Sequence, residues 1–163
     1  MKFIDPNIAR KGRLINNHLA EQNNGNVPPL FSLIEFNLSG LCTRHCIFCP
    51  RSDAKKFPNI NKHLPLALYK KVMADLRKAN FDGTILYSAF SEPLLYKHLD
   101  EIIKLSKRYC PQARIEIVNN GDLTTRERIS RLFKAGLTTL CISLYDGSKQ
   151  EEHFKKIQKD LGL

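Results

Sequence analysis

No apolar run in this chain approaches the length of a membrane span. The opening residues, Met1-Lys2-Phe3-Ile4-Asp5-Pro6, lack the apolar core of a secretory signal. These two absences set the expectation of a cytoplasmic protein with no membrane partner. The five histidines are scattered, and none stands in the paired spacing of a zinc protease. No Ser–His–Asp or paired-carboxylate arrangement is evident, nor an RNA-recognition signature, a low-complexity tract or an internal repeat. Cysteine is sparse too: there are five, an odd number, and three of them crowd into eight positions. That is not a disulfide framework, and a reducing compartment would keep such thiols available as metal ligands.

What the chain does have is length and apolar content enough for one packed domain. Its 163 residues are 42% hydrophobic, ample for a core. Lys and Arg number 26 against 16 Asp and Glu, a net charge of +10. An excess of that size suits an anionic substrate or a nucleic acid. It suits a solvated surface equally, because basic residues fall on every predicted helix.

The crowded thiols lie in Cys42-Thr43-Arg44-His45-Cys46-Ile47-Phe48-Cys49-Pro50, at i, i+4 and i+7. Ser39-Gly40 before them and Pro50 at the end make this stretch a loop. Three soft sulfur ligands so close suit a soft metal centre. The count of three is informative. A structural zinc takes four ligands, and an iron–sulfur cubane is usually held by four cysteines. With three, one iron keeps an open position for a substrate or cofactor. Two alternatives stand beside this reading. The same spacing lines one face of a helix with buried thiols, and His45, His63 or Cys110 could complete a zinc site. Cys110, before Pro111 at a helix end, and Cys141, in an apolar run, read as ordinary thiols, Cys141 as a small buried hydrophobe.

Residues 1–30 read as an N-terminal extension and linker. Asp5-Pro6 opens a helix with Pro6 at its first position, and residues 22–29 break it. The domain proper is 31–163. Residues 31–37 are a first strand leading into the cysteines, and 50–64 read as a long loop of the kind that is often functional. Pro65 opens a helix whose Tyr69, Val72, Met73 and Leu76 share one face. Residues 84–87 are a second strand. Leu99, Ile102 and Ile103 mark a second helix, and 114–118 alternate with period two as a third strand. Thr124 with Glu127 forms a capping box for a third helix, which Gly136 ends in a left-handed stop. Residues 137–144 are a fourth strand, and Ser148 with Glu151 caps a last helix. Strand and helix alternate four times, which predicts an α/β fold with a parallel sheet, right-handed crossovers and helices outside.

In such folds ligands bind beyond the carboxyl ends of the strands. The cysteines follow the first strand. Ser88-Ala89-Phe90-Ser91-Glu92-Pro93 follow the second, Asn119-Asn120-Gly121 the third, and the run from Ser143 to Gly147 ends the fourth. Small or polar residues at every strand end favour an enzyme.

The C-x-x-x-C-x-x-C spacing, with aromatic Phe48 before its last cysteine, resembles the signature of the radical S-adenosylmethionine (SAM) superfamily. The resemblance covers residues 31–147 in family order. Ala89-Phe90-Ser91-Glu92-Pro93-Leu94-Leu95 looks like the family's G-x-G-E-P-L-L, with Ala89 and Ser91 in place of glycines. The resemblance implies a partial (β/α) barrel of radical SAM type, about four of its six strand–helix units being present here. It implies a 4Fe-4S cluster on Cys42, Cys46 and Cys49, whose open iron chelates the amino and carboxylate groups of S-adenosyl-L-methionine. Phe48, Ala89, Ser91, Glu92, Asn119 and Ser143 would surround that cofactor, Glu92 toward its amino group and Ser143 toward its carboxylate. Each of the last three also has an ordinary role: a helix N-terminal acid, a turn residue and a strand-end serine bonded to local backbone. The implied chemistry is reductive cleavage of SAM, fed by a flavodoxin- or ferredoxin-type electron donor. The resulting 5′-deoxyadenosyl radical takes hydrogen from a substrate that the motifs do not name. Two rivals remain: a zinc- or cluster-stabilised nucleic-acid-binding module, and a truncated or inactive radical SAM chain. Leu161-Gly162-Leu163 fall where a fifth strand would begin, so a core completed by further chain or by a partner is expected.

Overall fold

A computed structural model of the chain describes residues 6–22 and 31–163. Asp5 and most of the expected break at 22–29 lie outside the described residues. A first helix, α1 (Pro6–Gln22), precedes a strand β1 (Leu33–Phe36) and a short antiparallel ribbon, β2 (Ser39–Gly40) with β3 (Ile60–His63). Then come α2 (Leu66–Lys78), β4 (Thr84–Tyr87), α3 (Leu99–Tyr109), β5 (Arg114–Asn119), α4 (Arg126–Ala135), β6 (Thr139–Ile142) and α5 (Ser148–Leu161). The main sheet runs β1-β4-β5-β6 and is parallel throughout. This is the α/β architecture expected from the alternation. Its register aligns Phe36 with Tyr87, Tyr87 with Ile117, and Asn119 with Ile142. The carboxyl ends of all four strands therefore open on one edge.

Period-two alternation decides which side chains face the helices. Ile85, Tyr87, Ile115 and Ile117 are fully buried and share a core with Tyr69 and Met73 of α2 and Ile102 and Ile103 of α3. Inside this core the Tyr87 and Tyr69 hydroxyls meet at 2.6 Å, and both reach the Ser106 hydroxyl, which donates to the Ile102 carbonyl at 2.9 Å. Burial pushes the Tyr69 phenol up to about 12 and Tyr87 in the same direction, so both stay neutral donors.

The opposite face of the sheet carries Glu116, only 1% exposed. Arg10 of α1 grips it with two bonds of 2.9 and 2.5 Å, and Arg114 lies 3.3 Å away. The polar lead-in helix is thus tied to the centre of the sheet. Burial alone would raise the Glu116 carboxyl. The hydrogen bonds and charges of Arg10 and Arg114 outweigh it and hold the group below the usual range.

Several local readings shift. The expected loop 50–64 contains β3, whose mostly polar and exposed residues carry no strand pattern and pair with the backbone of Ser39 and Gly40. The third helix is capped by Thr125, which accepts from Arg128 N–H at 3.2 Å, and not by Thr124. Thr124 instead donates its hydroxyl to Asn119 Oδ1 at 3.2 Å. The last helix starts at Ser148 with Gly147 as a cap that offers no side chain. Gly136 takes the left-handed stop, φ 112°. The fourth strand shrinks to Thr139–Ile142, and Cys141 is half-buried where full burial was expected. Among the described residues no helix is long and apolar enough to cross a membrane.

Two predictions follow from this packing. Arg10→Gln should cost about 2 kcal/mol at neutral pH, the scale of hydrogen bonds to a charged group. The deficit should vanish on acidification: the depressed Glu116 carboxyl contributes its stability above the ordinary Glu range, and loses it as pH falls toward the folded value. Chemical denaturation at a series of pH values checks this. Ala89, just after β4, has φ 67°, a conformation natural to glycine. Ala89→Gly should raise stability by about 1 kcal/mol or less, since relief of the left-handed strain is partly offset by the freer unfolded chain.

Candidate metal and cofactor site

The cysteine loop leaves β1 through Leu38, which is fully buried, and is clamped at its base by Asn59. Asn59 Oδ1 accepts from Cys42 N–H at 3.0 Å, and its Nδ2 donates to the Cys42 carbonyl at 3.1 Å, so one side chain imitates a strand partner. A tight turn follows, with Cys49 N–H donating to the Cys46 carbonyl at 2.9 Å. Helical spacing of the three thiols therefore does not make a helix here: Pro50 ends the turn in a short 3-10 segment.

Several contacts fasten this loop to the other strand ends. Arg44 bonds Asp122 beyond β5 and Asp146 beyond β6, each at 2.5 Å, and its guanidinium lies 5.0 Å over the Tyr145 ring. Hydrogen bonds from Arg44 hold both carboxyls below the usual range. Tyr145 in turn stacks on Phe48, ring centres 6.0 Å apart. Asn120 Nδ2 donates to Thr43 Oγ1 at 2.8 Å and lies 3.8 Å from Cys42 Sγ.

Glu92 is buried between these parts, 1% exposed. Its Oε1 accepts from Leu94 N–H at 3.0 Å and its Oε2 from Asn120 N–H at 3.1 Å, while its own N–H donates to the Leu41 carbonyl at 2.8 Å. Burial raises its carboxyl, and the two backbone N–H groups oppose the rise. Glu92 thus has the helix-capping role open to it in the sequence, and it also joins two strand ends.

The nine residues named for the cluster and its cofactor share one pocket. Cys42, Cys46 and Cys49, all half-buried, line a single pocket with Phe48, Ala89, Ser91, Glu92, Asn119 and Ser143. Arg44, Arg51, Asn120 and Tyr145 share the lining. Asn120 and Tyr145 fall within the strand-end runs read from the sequence, whereas no pattern there distinguishes Arg44 or Arg51 from the other basic residues. Two buried polar atoms on this pocket's residues have no partner, Ser91 Oγ and Asn119 Nδ2. Buried groups left unpaired are costly and rare, and these two are open to bond a group that enters the pocket. Asn119 Oδ1, by contrast, is used by the turn, accepting from Gly121 N–H at 2.8 Å.

Three thiols on one pocket are a soft donor set that suits an iron–sulfur cluster. Among the described residues no three His, Cys, Asp or Glu side chains converge on one point, as a zinc would need. His45 turns Nδ1 to the Arg51 carbonyl at 3.0 Å, His63 pairs with Asn61, and Cys110 is buried beside Pro111 away from this pocket. The zinc set read as an alternative does not assemble. Burial raises the Cys42 thiol, with the Arg44 N–H and the charge of Arg51 opposing it, so metal binding there must release a proton.

Comparison with known proteins points the same way. A family model described as the radical SAM superfamily matches residues 36–161. The S-adenosyl-L-methionine-dependent 2-deoxy-scyllo-inosamine dehydrogenase of Niallia circulans is 34% identical over 122 residues, 75% of this chain and 48% of that protein. The GTP 3′,8-cyclase of Nautilia profundicola is 29% identical over 130 residues, 78% of this chain and 39% of that one. Among solved structures, BtrN in complex with AdoMet and 2-DOIA has a TM-score of 0.72 at 32% identity, over 83% of this chain and 53% of that one. BtrN in an open conformation has a TM-score of 0.66 at 33% identity, over 77% and 55%. The chain spans about half the length of these relatives, or less. With its cysteine loop, strand-end residues and sheet matched together, this chain belongs to the radical SAM superfamily.

Proposed function

We propose that residues 31–163 are the cofactor-binding part of a radical SAM enzyme, with Cys42, Cys46 and Cys49 holding a 4Fe-4S cluster and the pocket around them holding S-adenosyl-L-methionine. One observation carries this reading. The three thiols and the six strand-end and aromatic residues line one pocket, where Ser91 Oγ and Asn119 Nδ2 are buried without partners. When bound, these cofactors supply one-electron cleavage of the sulfonium and a hydrogen-abstracting 5′-deoxyadenosyl radical.

The chain's own residues bind, orient and exclude water. Ser91 and Asn119 offer hydrogen bonds into the pocket. The buried Glu92 carboxylate keeps spare acceptor capacity and negative charge for an ammonium group. Ser143, whose N–H is fixed to the Asn119 carbonyl at 2.9 Å, lines the pocket at the strand end with its side chain beside that of Tyr145. Phe48, 72% exposed and backed by Tyr145, offers a flat apolar face. The Arg44 clamp keeps the cysteine loop against the ends of β5 and β6.

The relatives are named for unlike substrates, 2-deoxy-scyllo-inosamine and GTP. What this chain shares with both is therefore read as the cofactor half, and its substrate is left to parts they do not share. Among the described residues β6 is an edge strand of the sheet, and that edge supports the same view. Beside it Leu140, Ile142, Phe133 and Phe154 line an apolar groove where further strand–helix units of the barrel would pack. A cytoplasmic setting with a flavodoxin- or ferredoxin-type donor completes the proposal.

After anaerobic reconstitution, Ala at Cys42, Cys46 or Cys49 should remove most of the iron and sulfide, while Cys110→Ala and Cys141→Ala keep it. Stoichiometric zinc in a colourless wild-type protein would contradict the cluster. Glu92→Gln should weaken SAM binding at unchanged iron content, measured by calorimetric titration. An unchanged affinity would reduce Glu92 to a structural brace. Formation of 5′-deoxyadenosine from SAM under a strong reductant is the direct assay of the reading as a whole.

A further inference from the structure

Among the described residues Arg51 is a buried cation that no carboxylate pairs. It is 2% exposed, and its guanidinium does not deprotonate in proteins. Its Nη1 donates to Asn59 Oδ1 at 2.7 Å, and its Nε donates to the Phe90 carbonyl. Both partners are neutral, and among the described residues no carboxylate pairs with it. The Phe57 ring lies 5.9 Å from the guanidinium and packs edge-on against Phe90, centres 5.4 Å apart. A buried charge is normally paired, because neutral dipoles and ring faces replace lost water only in part.

The arginine is also built into the ligand loop. It follows Cys49 by two residues, its carbonyl meets His45 Nδ1 at 3.0 Å, and the Asn59 it grips also holds Cys42 N–H at 3.0 Å. It lines the same pocket as the three thiols. A cubane carried by three thiolates is a net anion, and reduction adds a further negative charge. We propose that Arg51 is the standing counter-charge of that cluster, a positioning residue that lets the anion enter a half-buried pocket and favours its reduced state. The proposal rests on the cluster reading given above.

The test compares the reconstituted wild-type chain with R51K, R51Q and R51M, without SAM, by redox titration followed by EPR of the reduced centre. Iron and sulfide in the wild type come first. Their absence would overturn the cluster reading, and this proposal with it, before any variant is measured. With the cluster present, R51Q should lower the ratio of reduced to oxidised centre at a fixed potential about tenfold, about 59 mV for one electron. R51K should stay within about threefold of wild type on the same scale. Folded R51Q that takes up no cluster, beside R51K that does, supports the same role. Wild-type behaviour of R51Q, an equal loss in R51K, or a shift seen only once SAM is added would overturn it. The last result would assign Arg51 to the SAM carboxylate. If R51Q does not fold, R51M is judged by the same criteria. Failure of both neutral apoproteins to fold would make Arg51 a structural donor and overturn the proposal.

Discussion

The Glu92 carboxylate accepts one backbone N–H from its own loop after β4 and another from Asn120 after β5, while the Glu92 N–H is given to Leu41 on the cysteine loop. Three strand ends therefore meet on one buried residue. Buried acceptors and donors must be satisfied, so none of the three can move without exposing an unpaired group on the other two. The geometry of the pocket depends on this. Ser91 lies one residue before Glu92 and Asn119 one before Asn120, so the two orphaned atoms belong to neighbours of the knot.

Charge then decides how the loop of thiols is held against that knot. Arg44 spans two carboxylates from different loops, a bidentate arrangement in which a lysine could not take its place. Arg51 sits on the other side of the same loop with neutral partners only. One arginine is satisfied by the protein and the other is not, although both lie within ten residues of each other in the chain. The difference lies in which strand ends they reach. Ala89 adds a third kind of constraint. Its φ of 67° is a left-handed turn natural to glycine, so the methyl group there strains it.

Much of this was legible in the residues. Tyr69, Met73 and Leu76 are buried as the helical spacing implies, and Ile115 and Ile117 as period two implies. Gly136 ends its helix in the left-handed region. The first capping box slid by one residue because Thr124 and Thr125 are equivalent in sequence; the tertiary fold gave Thr124 to Asn119 and left Thr125 to cap. The ribbon of β2 and β3 was invisible because its strands have no apolar alternation.

By itself the sequence determined the four strand–helix units, their buried faces, the three-thiol loop with its aromatic, and the small or polar strand ends. These are local periodicities and spacings, written within a few residues of one another. Only the tertiary structure decided that Arg10 reaches Glu116 across 106 residues, that Arg44 reaches Asp146 across 102, and that Asn120 reaches Thr43 across 77. It alone decided that Arg51, one basic residue among 26, loses its water. The reason is physical: strand register and burial choose the partners of a charge, and neither leaves a trace in the residues beside it.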